Sequence, residues 1–205
     1  SVYKICRNVK TSLKSKGLTK PTTETDVVPN SNTARNANLE NSMSDRALVT
    51  DGIEFPEFFY GTAWKEDQTK RLTELAVRCG FRAIDTANQR RHYHESAVGQ
   101  AVSGLIAHGV VGREDLFLQT KFTFQRGQDH RLPYDPGASI PVQVEQSFAS
   151  SLKHLGVERV DSYLLHGPAG STGLTSDDWA AWRAMEAIHN SGRARWIGVS
   201  NVTLE

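Results

Sequence analysis

The sequence predicts an α/β protein: a (β/α)8 TIM barrel, truncated after about the fifth strand, with an N-terminal hairpin in front of it. Three observations lead there. Short runs rich in Val, Ile, Leu and Phe alternate with longer stretches whose apolar residues recur at helical spacing; each helical stretch is closed by a glycine; and a polar residue stands at the carboxyl end of strand after strand. Such alternation makes the strands parallel, because each helix carries the chain back across the sheet. The first strand runs into Gly61-Thr-Ala-Trp-Lys65, with no GxGxxG phosphate loop, which disfavours a doubly wound nucleotide-binding sheet. Chemistry at many strand ends is the habit of a barrel. A full barrel takes about 250 residues, so the 205 residues here are expected to hold only part of one.

The elements follow in order. Residues 1–46 read as a disordered basic and polar tail. The first twenty carry Lys4, Arg7, Lys10, Lys14, Lys16 and Lys20 with no acid, and Val2, Ile5, Val9 and Leu13 near helical spacing. This is a solvated basic tail or an organelle-targeting segment. Residues 21–45, mostly Thr, Asn, Ser, Ala and Pro, hold too little apolar surface to offset the entropy of ordering. The partial barrel spans 47–205 and opens with a hairpin whose turn is Asp51-Gly52. Residues 58–61 form the first barrel strand. Leu72, Leu75, Ala76 and Cys79 share one helix face, and Gly80 caps it. Strand 81–85 leads to a helix bearing Ala97, Val98, Ala101, Val102, Leu105 and Ile106, ended by Gly109. Strand 116–121 leads to one bearing Val144, Phe148, Leu152 and Leu155, ended by Gly156. Strand 160–166 precedes a helix opened by Ser176-Asp-Asp, packed through Trp179, Trp182, Met185 and Ile188, and stopped at Ser191-Gly192. The last strand is 194–199.

Composition narrows the function. A net charge of +1 offers no global attraction to nucleic acid or to an anionic membrane, and no apolar run reaches the ~20 residues of a membrane-spanning helix. Neither is expected as a partner. Two lone cysteines, Cys6 and Cys79, make neither a disulfide framework nor a CxxC site, which favours a reducing, cytoplasmic setting. His92, His94, His108, His130, His154 and His189 lack carboxylate or cysteine partners at metal-ligand spacing; no metal is predicted.

The chemistry must lie at the strand ends. Asp85 closes the second barrel strand, and the loop after it, Thr86-Ala-Asn-Gln-Arg-Arg-His-Tyr93, delivers a phenol to the rim that also holds Lys121 and His166. Taken singly, each has a plain structural reading. Asp85 could accept backbone N–H bonds, Lys121 could snorkel from the barrel mouth, and His166 could be a core histidine. Together they form a proton-donating device. An ammonium beside a phenol lowers its pKa from about 10 toward the working range, an aspartate holds the ammonium in place, and an imidazole supports a developing oxyanion. Such a group protonates a carbonyl while hydride comes from elsewhere, which implies a nicotinamide cofactor. The cluster Arg90-Arg91-His92 reads as solvent-facing, with a phosphate clamp as the alternative.

Five segments, taken in order, resemble aldo-keto reductases: Gly61-Thr-Ala-Trp-Lys65; Gly80-Phe-Arg-Ala-Ile-Asp-Thr-Ala87; Arg113-Glu-Asp-Leu-Phe-Leu-Gln-Thr-Lys121; Val160-Asp-Ser-Tyr-Leu-Leu-His-Gly-Pro168; and Gly192-Arg-Ala-Arg-Trp-Ile-Gly-Val-Ser-Asn201. The resemblance implies NADPH-dependent reduction of aldehydes and ketones to alcohols. It assigns Tyr93 as proton donor, Asp85 and Lys121 as its tuners, and His166 as the residue that orients the carbonyl. It further places Ser200, Asn201, Thr62 and Asp85 at the cofactor and Trp64 in the substrate pocket. Two departures stand out. The usual tyrosine position, five residues after the aspartate, holds Arg90, so that Tyr93 aligns only through an insertion. The later strands, which supply the rest of the cofactor site, would fall after Glu205, leaving an incomplete or inactive fragment. The rival readings are a non-catalytic interaction protein, self-associating through the open edges of the first and fifth barrel strands, and an aldolase-type barrel in which Lys121 forms a Schiff base.

Overall fold

A computed structural model describes residues 4–5, 47–50 and 53–203. Of the expected tail it describes β1 (Lys4–Ile5); the remainder of 1–46, with its expected disorder and targeting role, lies outside the described residues, as do Asp51 and Gly52 of the hairpin turn. The hairpin itself is β2 (Ala47–Thr50) and β3 (Ile53–Pro56), antiparallel in the register Thr50↔Ile53, which leaves a two-residue connection. The barrel strands are β4 (Phe59–Gly61), β5 (Ala83–Asp85), β6 (Phe117–Phe122), β7 (Val160–Leu165) and β8 (Ala194–Val199). All five pair in parallel and in chain order. Between them run α1 (Thr69–Arg78), α2 (Glu95–Ala107), α3 (Ile140–Leu155) and α4 (Ser176–Asn190).

The pleat sorts side chains to two faces. Outward residues Ile84, Leu118, Phe122, Tyr163, Leu165 and Ile197 meet Val98, Val102, Val144, Phe148, Met185 and Ile188 of the helices in one buried core. The inward face is unlike this one. At its amino-terminal end Phe59 and Phe117 pack edge to face, and Phe55 of the hairpin closes over Phe117 and Trp196, with centroids 6.2 and 5.3 Å away. The hairpin is therefore a plug under the sheet. At the carboxyl end the same face turns polar.

Helix ends follow the sequence. Gly80, Gly109, Gly156 and Gly192 all take positive φ, and Gly156 ends α3 in the left-handed region that glycine adopts without a Cβ penalty. Thr175 and Asp178 form a reciprocal capping box at the start of α4. Gly99 acts in packing rather than in capping. A Cβ there would collide with the His154 carbonyl oxygen, so its absence lets α2 and α3 touch backbone to backbone.

Three expectations are corrected. The buried side of α1 is Thr69, Thr73, Ala76 and Val77, while Leu75 is 50% exposed and Cys79 is exposed. Thr69 goes inside with its methyl buried and its hydroxyl bonded locally to the Glu66 carbonyl at 2.7 Å, whereas the buried Thr73 hydroxyl finds no partner among the described residues. Trp179 is 52% exposed, since α4 turns Ala181, Met185 and Ile188 inward. The edge of β8 is not open either, for β1 pairs with it antiparallel, Lys4 opposite Val199. Among the described residues β4 remains at a margin of the sheet. No described helix is long and apolar enough to cross a membrane.

Candidate active site

Register builds the site. Asp85 pairs with Gln119 and Lys121 with Leu164, so steps of two place Asp85, Gln119, Lys121, Thr123, Ser162 and His166 on the inward face at or near the strand ends. A chain of hydrogen bonds ties them. The Ser162 hydroxyl donates to Gln119 Oε1 at 2.9 Å, Gln119 Nε2 donates to Asp85 Oδ1 at 2.7 Å, and Lys121 Nζ donates to the same Oδ1 at 2.5 Å and to the Thr86 carbonyl at 2.8 Å. Lys121 and Asp85 are buried. A buried ammonium needs both a counter-charge and hydrogen-bond acceptors, and these two oxygens supply them. Burial pulls the Lys121 pKa below its ordinary value, with the Asp85 carboxylate opposing.

Tyr93 arrives from the loop after β5. Its amide donates to the Gln89 carbonyl at 3.0 Å, and its ring comes within 5.1 Å of Lys121 Nζ and 5.8 Å of the His166 ring, edge to face with the latter. The loop that departs from the family spacing thus still brings a tyrosine ring beside the lysine and the histidine. Arg90, at the usual tyrosine position, donates from Nη1 to the Tyr93 carbonyl at 3.4 Å; it lines one cleft of about 410 Å³ with Gln89 and Tyr93, and another of about 250 Å³ with Arg91, His92, Arg131, Glu66 and Trp64.

His166 continues the β7 ladder through its amide to the Phe122 carbonyl, 2.8 Å, and its Nδ1 lies 2.7 Å from the Thr123 hydroxyl. Burial, then the nearby positive charge of Lys121, pushes the imidazole down to about 4, so it is neutral near neutral pH. Its ring lines a cavity of about 300 Å³ with Gln89, Thr123, Phe124, Arg126 and Asn201.

The remaining expected residues are close but differently engaged. Thr62 is buried, and both its amide and its hydroxyl donate to the Asp85 carbonyl. Trp64 is 69% exposed, stacked on His92 at 3.9 Å, and held at φ 61. Ser200 is buried after β8; Asn201, at φ 55, donates from Nδ2 to the His166 carbonyl at 2.7 Å and to Ser200 Oγ at 3.1 Å. Left-handed backbone at two non-glycine site residues is a local cost that the surrounding contacts hold in place. Asn201 keeps its side-chain carbonyl as an acceptor, so this end of the site has the chemistry to receive a carboxamide N–H.

Sequence reasoning missed Gln119, Thr123 and Glu95. The first two share the parity of Lys121 along β6, which was the available signal. Glu95, which served in the sequence only to align the loop before it, is buried at the start of α2, accepts a short hydrogen bond from Thr120 and lies 3.0 Å from His154 Nδ1.

A parallel β/α sheet with its polar cluster at the carboxyl strand ends is a protein of the (β/α)8 barrel class. The family model described as Aldo/keto reductase family matches residues 58–205, and the chain belongs to that family. Aldo-keto reductase family 1 member C4 of Macaca fascicularis is 34% identical over 177 residues, covering 76% of this chain and 50% of the relative. Prostaglandin-E(2) 9-reductase of Oryctolagus cuniculus is 33% identical with the same coverage. The crystal structure of a Bombyx mori aldo-keto reductase in complex with NADP superposes with a TM-score of 0.57 at 29% identity, covering 74% of this chain and 48% of that one. The chain spans about half the length of the curated relatives it matches.

Proposed function

We propose that the protein carrying this chain reduces aldehydes or ketones to alcohols with NADPH, and that Tyr93 donates the proton. The observation that carries this reading is the convergence of the Tyr93 ring on Lys121 Nζ and the His166 ring, beside the buried Lys121–Asp85 pair. Hydride is what the bound cofactor would supply. Ser200 and Asn201 would hold its carboxamide, and the fit of the described residues extends to that end of the cofactor alone.

The chain's own residues do the rest. A neutral His166 donates a hydrogen bond to the carbonyl oxygen and fixes its place. Lys121, held by Asp85 and the Thr86 carbonyl, favours negative charge on the phenol oxygen and so eases proton release to the alkoxide as it forms. The Ser162–Gln119–Asp85 chain keeps the carboxylate from rotating. Trp64, beside His92, lines the neighbouring cleft rather than the cavity of His166, and would meet only a substrate long enough to reach into that cleft.

NADPH absorbance followed in the presence of a simple aldehyde, with the alcohol product identified, tests the reading. Consumption matched by alcohol supports it; neither consumption nor any change in cofactor fluorescence would refute it. Borohydride trapping of a carbonyl compound on Lys121 would instead mark Schiff-base chemistry, which the 2.5 Å pairing with Asp85 disfavours. A second reading, self-association, rests on β4 as a margin of the sheet among the described residues; sedimentation that gives only monomer removes it.

A further inference from the structure

We infer that Thr123 is a positioning residue: its hydroxyl donates to His166 Nδ1 and thereby holds the neutral imidazole as the Nε2–H tautomer, with that N–H presented to the cavity. The inference rests on the carbonyl-reducing reading only for what the N–H is used for; the tautomer itself stands on geometry.

The pairing is written into the sheet. Lys121 stands opposite Leu164, so two residues on, Thr123 and His166 come side by side on the same face, and Thr123 Oγ1 lies 2.7 Å from Nδ1. Of two ring nitrogens in a neutral imidazole, one donates and one accepts, and the partner of one decides the role of the other. Among the described residues the Thr123 hydroxyl has no hydrogen-bond partner except Nδ1. If Nδ1 carried the proton, the hydroxyl would accept it and its own hydrogen would be left unpaired in a site where Thr123 is 6% exposed, which costs about 1–3 kcal/mol. Donation to Nδ1 satisfies both groups. His166 Nε2, for its part, has no partner among the described residues and is free to serve the cavity that the ring lines.

The hydroxyl is aimed by shape as well. A threonine has three staggered χ1 choices, and in the one adopted here Cγ2 rests against Gly127, where an added Cβ would be only 2.7 Å away, so the bare glycine leaves room for the methyl. The backbone below is clamped, since the Thr123 carbonyl accepts from the Tyr134 hydroxyl at 2.8 Å and from Gln128 Nε2 at 3.3 Å. Burial pushes the Tyr134 phenol up to about 12, so it stays a donor across the working range.

The test is a long-range proton–nitrogen NMR correlation of the histidine rings near neutral pH, with His166 assigned by its loss in His166→Asn. The wild-type ring is expected to show a protonated Nε2 and a bare, accepting Nδ1. Thr123→Val, which keeps the shape and removes the donor, is expected to give a mixture of tautomers and to lower kcat/KM for carbonyl reduction about tenfold; Thr123→Ser restores both. A wild-type ring protonated at Nδ1, or a Thr123→Val ring with the wild-type pattern, overturns the inference, and the wild-type spectrum decides even where the valine variant fails to fold. A correct tautomer in a protein that consumes no NADPH upholds the role of Thr123 and counts against carbonyl reduction alone.

Discussion

Lys121 is the charge around which the other site residues arrange themselves, and its burial makes the local consequences large. Removing one partner of a buried ion pair leaves the other uncompensated and costs about 3–5 kcal/mol. Lys121→Met, which leaves Asp85 with Gln119 Nε2 as a donor but no counter-charge, is therefore expected to lower the denaturation midpoint sharply and to abolish carbonyl reduction; a variant as stable as wild type would contradict the account of the pair. His166 makes a pH prediction. Its folded pKa of about 4 lies below the ordinary 6.5, so between those values the unfolded chain binds a proton that the folded chain refuses, and stability falls as pH falls. The contribution of the neutral ring is whole above about 6.5 and gone below about 4. NMR titration should find the ring still neutral at about pH 5.5; an imidazolium there would be inconsistent with the buried setting. Asp85, Lys121 and His166 could be picked from the sequence because each is a polar residue at or near the end of a short apolar run and falls in one of the ordered motifs. Thr123 offered only its shared parity with Lys121, because its partnership with His166 comes from register between β6 and β7, a relation that one strand's sequence does not contain.

At the scale of elements, the alternation of strands and helices was readable because each helix ends on a glycine and each strand is short and apolar. The burial of α1 was not. Its inward side is built from Thr69, Thr73, Ala76 and Val77, and a pattern that counts only large apolar residues selects Leu75, which faces out. The hairpin was visible in Asp51-Gly52, yet its use as a plug depends on Phe55 meeting Phe117 and Trp196, residues more than sixty positions away. The contact of α2 with α3 turns on Gly99. Gly99→Ala would press a methyl into the His154 carbonyl and the Leu155 Cα and is expected to cost at least about 1–3 kcal/mol, read as a lower urea midpoint; an unchanged midpoint would mean the helices separate at no cost.

Taken whole, the described sheet is covered on its helical face, plugged at its amino-terminal end and edged by β1 along β8. It is not closed on itself: β4 lies at a margin, and Phe58 and Leu75, near that margin in sequence, are each about half exposed. The 205-residue chain is therefore expected to bind a hydrophobic dye and to melt over a broad range; a sharp thermal transition with full near-ultraviolet dichroism and no dye binding would contradict this. The strand-end site is a matter of the whole molecule too, since its members come from β5, β6, β7 and the loop after β5. The measurement that bears most directly on it is the rate of NADPH-dependent aldehyde reduction by Tyr93→Phe beside wild type, with cofactor binding measured on both. The loss of a positioned general acid predicts a rate lower by about 10²–10⁴-fold with cofactor affinity unchanged. A phenylalanine variant that reduces the aldehyde at the wild-type rate would show that the proton comes from elsewhere.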